Sequence, residues 1–184
     1  MNRREAIART AVLLGGAVSA STIAAVLSGC KTGPIPPSST FLTPEQESLV
    51  TQLCDLILPK TGTPAASEVG VPGFIYTILQ ECTPAEDREA WTAGLVQLDT
   101  DAGGLLRLPV DQQTAFLKKL DAEAREAIEP LTPPQAAWRK LKELTLIGYF
   151  TSEAGASEVL EYIPVPGRFE GCIPLPPGQR TYVI

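Results

Sequence analysis

The side chains with chemistry to offer are few: cysteines at positions 30, 54, 82 and 172, and a run of glutamates toward the C-terminus, Glu153, Glu158, Glu161 and Glu170. Paired carboxylates can hydrolyse glycosides when one is kept protonated and the other ionised. Here no acidic pair is set apart from an ordinary solvated face. The chain has no histidine, and its one methionine is Met1. Ser/His and Cys/His nucleophiles therefore lack their base, the usual zinc sets lack imidazole, and a Cys-x-x-Cys-His haem attachment is excluded. Gly103-Gly104 is an isolated pair with no strand before it, so it is not a phosphate loop. An enzyme built from this chain alone would have to run on carboxylates.

Cys30 stands apart because of what precedes it. Arg3-Arg4 and Arg9 give a positive start, residues 10–29 carry no charge, and the run closes on Leu27-Ser28-Gly29-Cys30. Basic, apolar and small segments in that order form a secretory signal, and the arginine pair points to twin-arginine export, which carries folded proteins. The Leu-Ser-Gly-Cys ending resembles a bacterial lipobox, whose cysteine is acylated as the first residue of the mature chain. An uncleaved membrane helix is the alternative, since about 20 residues span a bilayer. The three glycines and the many alanines and serines of the run favour cleavage. The expected product is a periplasmic lipoprotein anchored through Cys30, with a Pro/Ser tether over residues 30–42.

With Cys30 lipidated, an odd number of cysteines remains for an oxidising compartment. Cys54 lies in an apolar helical pattern and reads either as a buried inert thiol or as the partner of Cys82 in an internal disulfide. Cys172, between Gly171 and Ile173-Pro174, reads as the cysteine that pairs with another chain. Charge narrows the partners further. The signal holds three of the 15 basic and one of the 21 acidic residues, so the mature chain carries about -8. Such a chain has no electrostatic reason to bind nucleic acid.

The elements that must position these groups are helices. Thr43-Pro44-Glu45-Gln46, Thr83-Pro84-Ala85-Glu86 and Thr132-Pro133-Pro134-Gln135 each place a threonine cap before proline, with Glu or Gln three residues after the threonine. That arrangement predicts three capping boxes. Apolar residues recur at helical spacing in Leu49, Leu53 and Ile57, in Trp91, Leu95, Leu98 and Ala102, and in Phe116, Leu120, Ala124 and Ile128. Val71-Pro72 opens a further helix through Leu79. Trp138 to Phe150 begins amphipathic and turns apolar all round at Leu146-Ile147-Gly148-Tyr149-Phe150, a pattern for burial in the bundle or under a partner. A short helix is expected over Ser157–Tyr162. The tail from about residue 163 holds five prolines between positions 164 and 177, so neither helix nor central strand is expected there. The predicted fold is all-α: one bundle of five to six helices over residues 43–184, ending in an extended Pro-rich tail.

Two blocks of sequence carry a resemblance. Asp55-Leu56-Ile57-Leu58-Pro59-Lys60-Thr61-Gly62-Thr63-Pro64-Ala65-Ala66 resembles the D-x-I-[IL]-P-x-T-x-T-P-G-A stretch of the gluconate 2-dehydrogenase subunit 3 family, with Ala65 where glycine is common. Gly148 to Glu153, together with Tyr162 to Cys172, is similar to that family's C-terminal block. The resemblance implies a small non-catalytic subunit without a cofactor of its own. Its implied partner is a large FAD-dependent dehydrogenase of the glucose-methanol-choline type, acting on a sugar or sugar acid and borrowing the small subunit's export signal. A cytochrome c subunit is implied as a further neighbour in the complex. Phe150, Tyr162, Arg168 and Phe169 are the residue types that anchor interfaces, and with Cys172 they form the expected partner surface. The competing expectations are a lipoprotein of structural or chaperone role with no dehydrogenase partner, and a stand-alone carboxylate enzyme.

Overall fold

Threonine caps and proline starts decide where the helices begin. A computed structural model describes residues 39–127, 130–163, 165, 167, 172, 174 and 177–183. Helix α1 (Pro44–Ile57) opens with a complete capping box: Thr43 Oγ1 accepts the Gln46 amide at 3.3 Å, and Gln46 Oε1 accepts the Thr43 amide at 2.9 Å. It stops at Leu58, where the following Pro59 disfavours helical backbone and Leu58 takes φ -130°, ψ 82°. Helix α2 spans Val71–Glu81 and α3 spans Ala85–Asp101. The box expected at Thr83 does not form. Pro84 takes the cap position without a side-chain bond, and the Thr83 hydroxyl turns back to donate to Ile78 O at 3.0 Å, closing the end of α2 instead.

Gly103-Gly104 ends α3. Both have positive φ (74° and 91°), and their amides return to Thr100 O and Asp99 O, a left-handed stop that glycine makes without a Cβ penalty. A 3₁₀ turn (Leu105–Arg107) leads to α4 (Val110–Glu126), and α5 (Pro133–Phe150) follows. At the start of α5, Gln135 Oε1 accepts the Thr132 amide at 3.0 Å. Ile128, expected on the apolar face of α4, lies outside the described residues.

Helix α5 is the axis of the bundle and packs against each of the other four helices, most extensively against α3. That approach is close because Gly94 of α3 lacks a side chain: a Cβ there would meet Ala137 Cβ at 2.9 Å and collide with Pro133 O. The core holds Leu53, Ile75, Leu79, Leu95, Leu98, Leu105 and Leu141, all essentially solvent-free. Each contributes on the order of 1.5–3 kcal/mol by burial. Polar atoms inside are paired, and among the described residues no buried side-chain nitrogen or oxygen lacks a partner. Trp91 Nε1 donates to Ala137 O at 3.2 Å, and Thr145 Oγ1 donates to Leu141 O at 2.8 Å.

The last stretch of the chain differs from the expectation in two ways. The predicted helix over Ser157–Tyr162 is instead one π turn, Gly155–Val159, followed by strand β1, Glu161–Tyr162. The tail also contributes strand β2, Tyr182–Val183, which pairs in parallel with β1, Glu161 opposite Tyr182. Proline leaves the tail's last residues free to pair because none lies beyond position 177. The apolar end of α5 is only half covered: Gly148 and Tyr149 are buried, whereas Leu146 and Ile147 remain 37% and 44% exposed.

Candidate functional site

The loop after α1 is held by side chains from both ends of the sequence. Asp55, on the last turn of α1, accepts the Ser67 amide and the Ser67 hydroxyl, each at 2.8 Å. The Ala66 amide returns to Leu58 O at 3.1 Å, and the Thr61 amide to Thr63 O at 3.1 Å. Lys60 pairs with Glu68 at 2.6 Å on the surface, and that hydrogen bond holds the Glu68 carboxyl below its usual range. From the far end of the bundle, Tyr149 donates its hydroxyl to Pro64 O at 2.9 Å. The same residue's carbonyl accepts the Ser152 hydroxyl at 2.6 Å, and Ser152 Oγ in turn accepts the Gly155 amide at 3.1 Å. Two blocks about 85 residues apart thus form one locked corner.

The one buried thiol nearby, Cys54, lies 3.5 Å from Thr145 Oγ1, and burial pushes it up to about 12. A thiol that stays protonated is neither a nucleophile nor a metal ligand at neutral pH. Among the described residues no group of three or more His, Cys, Asp or Glu side chains converges on a metal position.

The family model described as gluconate 2-dehydrogenase subunit 3 matches residues 44–167. The chain belongs to that family. No curated protein and no solved structure gives a significant match. The family ties this subunit 3 chain to a gluconate dehydrogenase complex. The match runs from the first helical residue of α1 into the tail, so it covers the whole bundle and the locked corner.

Within the subunit 3 fold the expected partner residues are spread out. Phe150 is half-buried, its ring edge-on to Tyr149 with centroids 5.5 Å apart and planes at 85°. Tyr162 is 57% exposed on β1, and Cys172 is exposed. Arg168, Phe169 and Glu170 lie outside the described residues, as do Arg3, Arg4 and Cys30. The expected Cys54–Cys82 disulfide is a correction: Cys54, Cys82 and Cys172 are all free thiols, Cys54 buried in the core and Cys82 exposed at the end of α2. The physical reason is placement: Cys54 is buried against Thr145 of α5, whereas Cys82 lies exposed on the surface. Glu158 and Glu161, within the stretch expected to be a short helix, fall instead on a π turn and a strand, both exposed. No helix among the described residues is long and apolar enough to cross a membrane.

Two polar centres were not foreseen from sequence. Gln113 is buried and joins three elements: its Nε2 donates to Leu105 O at 3.0 Å and Leu108 O at 2.9 Å, and its Oε1 accepts from Gln52 at 3.2 Å. Asp121 accepts from Trp138 Nε1 at 3.1 Å, Lys142 Nζ at 2.5 Å and Arg125 at 3.1 Å. The Lys142 hydrogen bond, aided by Trp138 and the charge of Arg125, holds its carboxyl below the usual carboxylate range. Only the Asp121/Arg125 spacing of four was a sequence signal; Trp138 and Lys142 come from another helix.

Proposed function

We propose that this chain is the non-catalytic small subunit of a FAD-dependent dehydrogenase of the glucose-methanol-choline type, oxidising a sugar or sugar acid in the periplasm. It would supply the complex with its twin-arginine export signal (Arg3, Arg4), its lipid anchor at Cys30 and a stabilising partner surface. The observation that carries the reading is the family match over residues 44–167, supported by the locked corner that joins the family's two sequence blocks. FAD belongs to the large subunit in this reading. The exposed Cys172 thiol is available for a bond to the partner chain.

The test is recovery of the tagged protein from its own membrane fraction, with non-reducing electrophoresis and mass spectrometry of each band. A yellow, FAD-bearing large chain is the expected companion. If the chains separate only on adding reductant, and a Cys172→Ser change abolishes this, the covalent link lies in the tail. A colourless monomer alone would sink the reading.

A further inference from the structure

A groove runs along the junction of α4 and α5, with the end of α1 at one side. Its deeper half is a cavity of about 430 Å³ whose apolar wall is formed by Leu56, Ile57, Leu117 and Trp138. Its shallower half, about 550 Å³, continues along α5 to the exposed Leu146. The halves are continuous because Asp121, Arg125 and Lys142 line both.

Charge is what sets this groove apart. The chain carries a net charge of -6, yet the deeper half sets Lys118, Arg125 and Lys142 against Asp121 alone. That carboxylate is already bonded to Lys142, Arg125 and Trp138. Lys118 makes no hydrogen bond or ion pair with the described residues, and the Arg125 side chain is 77% exposed. A positive island with an apolar floor on an acidic protein selects for a complementary surface that is acidic and carries an apolar tip. Trp and Arg are also the residue types on which binding energy concentrates. The length and openness of the groove fit a polypeptide segment laid along two helices better than an enclosed small molecule.

We propose that this groove receives an acidic segment of the flavoprotein subunit, one large apolar side chain seated among Leu56, Ile57, Leu117 and Trp138 and flanking carboxylates paired with Lys118, Arg125 and Lys142. This rests on the small-subunit reading above and gives that reading a place on the fold.

The experiment is membrane recovery of the full chain carrying K118E and R125E together, against wild type and against a control, K119E with R107E, that makes the same charge change elsewhere. Flavin recovered per small chain is expected to fall at least tenfold for the groove variant and less than twofold for the control, with the same helical circular dichroism in all three. Raising salt should weaken the wild-type complex and leave the groove variant unchanged. Hydrogen exchange on the wild-type complex should show α4 and α5 amides around Lys118 and Lys142 protected relative to the free subunit. If wild type recovers no flavoprotein, the small-subunit reading itself fails. If flavoprotein is recovered but the groove variant holds it as well as wild type, or the groove amides gain no protection, the docking proposal is overturned and the reading stands. Native mass spectrometry showing a small anionic molecule or a second copy of this chain in the groove would likewise overturn it.

Discussion

Gln113 shows how one side chain can hold a junction that no apolar pattern announces. Its amide ties the 3₁₀ turn, the start of α4 and Gln52 of α1 together inside the bundle. Gln113→Leu is of similar size but takes the partner from Leu108 O and from the Gln52 amide, while Leu105 O keeps the Leu108 amide, so it should cost about 1–3 kcal/mol; urea unfolding of the purified domain measures this, and a neutral result would remove Gln113 from the core account. Cysteine reactivity is decided equally locally. With its thiol pushed up to about 12 by burial, Cys54 should resist alkylation at pH 8 until the protein is denatured, whereas exposed Cys82 and Cys172 should react in the native state. Peptide mapping after a timed iodoacetamide pulse distinguishes them, and native labelling of Cys54 would contradict the packing described.

Between elements, α5 sets the arrangement. The contact of α3 with α5 depends on the missing side chain at Gly94, so Gly94→Ala should force the helices apart and cost about 1–3 kcal/mol, although alanine is the better helix former. A rise in melting temperature would contradict that packing. The α4–α5 junction is joined by Asp121, and its pH behaviour follows from the lowered carboxyl. Its folded-state value lies below the unfolded value of about 3.9, so its stabilisation is fully present above that unfolded value. It is lost as pH falls through the folded value. Asp121→Asn should therefore lower stability near neutral pH and flatten the decline on acidification, read from unfolding free energies between about pH 6 and pH 2. An unchanged acid slope would mean that other carboxylates carry the acid response.

At the scale of the whole chain, the leader proposed from the sequence would serve the complex as a unit. If the complex crosses the membrane folded, replacing Arg3 and Arg4 by lysine should leave the FAD-bearing large chain in the cytoplasm with its small subunit; normal appearance in the periplasm would separate export from this chain. Much of the bundle was legible from sequence, because caps and helical spacing are local. Thr43, Thr132, Trp91, Leu95 and Leu120 sit where pattern alone put them. Thr83 and the residues from Ser157 to Tyr162 were misread for the same reason: a hydroxyl with a nearer acceptor, and a strand whose partner lies 21 residues away, answer to contacts that a local window does not contain. The sequence by itself determined the helical class, the acidic balance and the family, since each is written in residue types and short spacings. The tertiary structure alone decided that Tyr149 reaches the Pro64 loop, that Cys54 faces Thr145 and not Cys82, and that Asp121 gathers Trp138 and Lys142 into a basic groove. Those outcomes depend on which helix faces meet, and that is fixed by packing around α5 rather than by any run of residues.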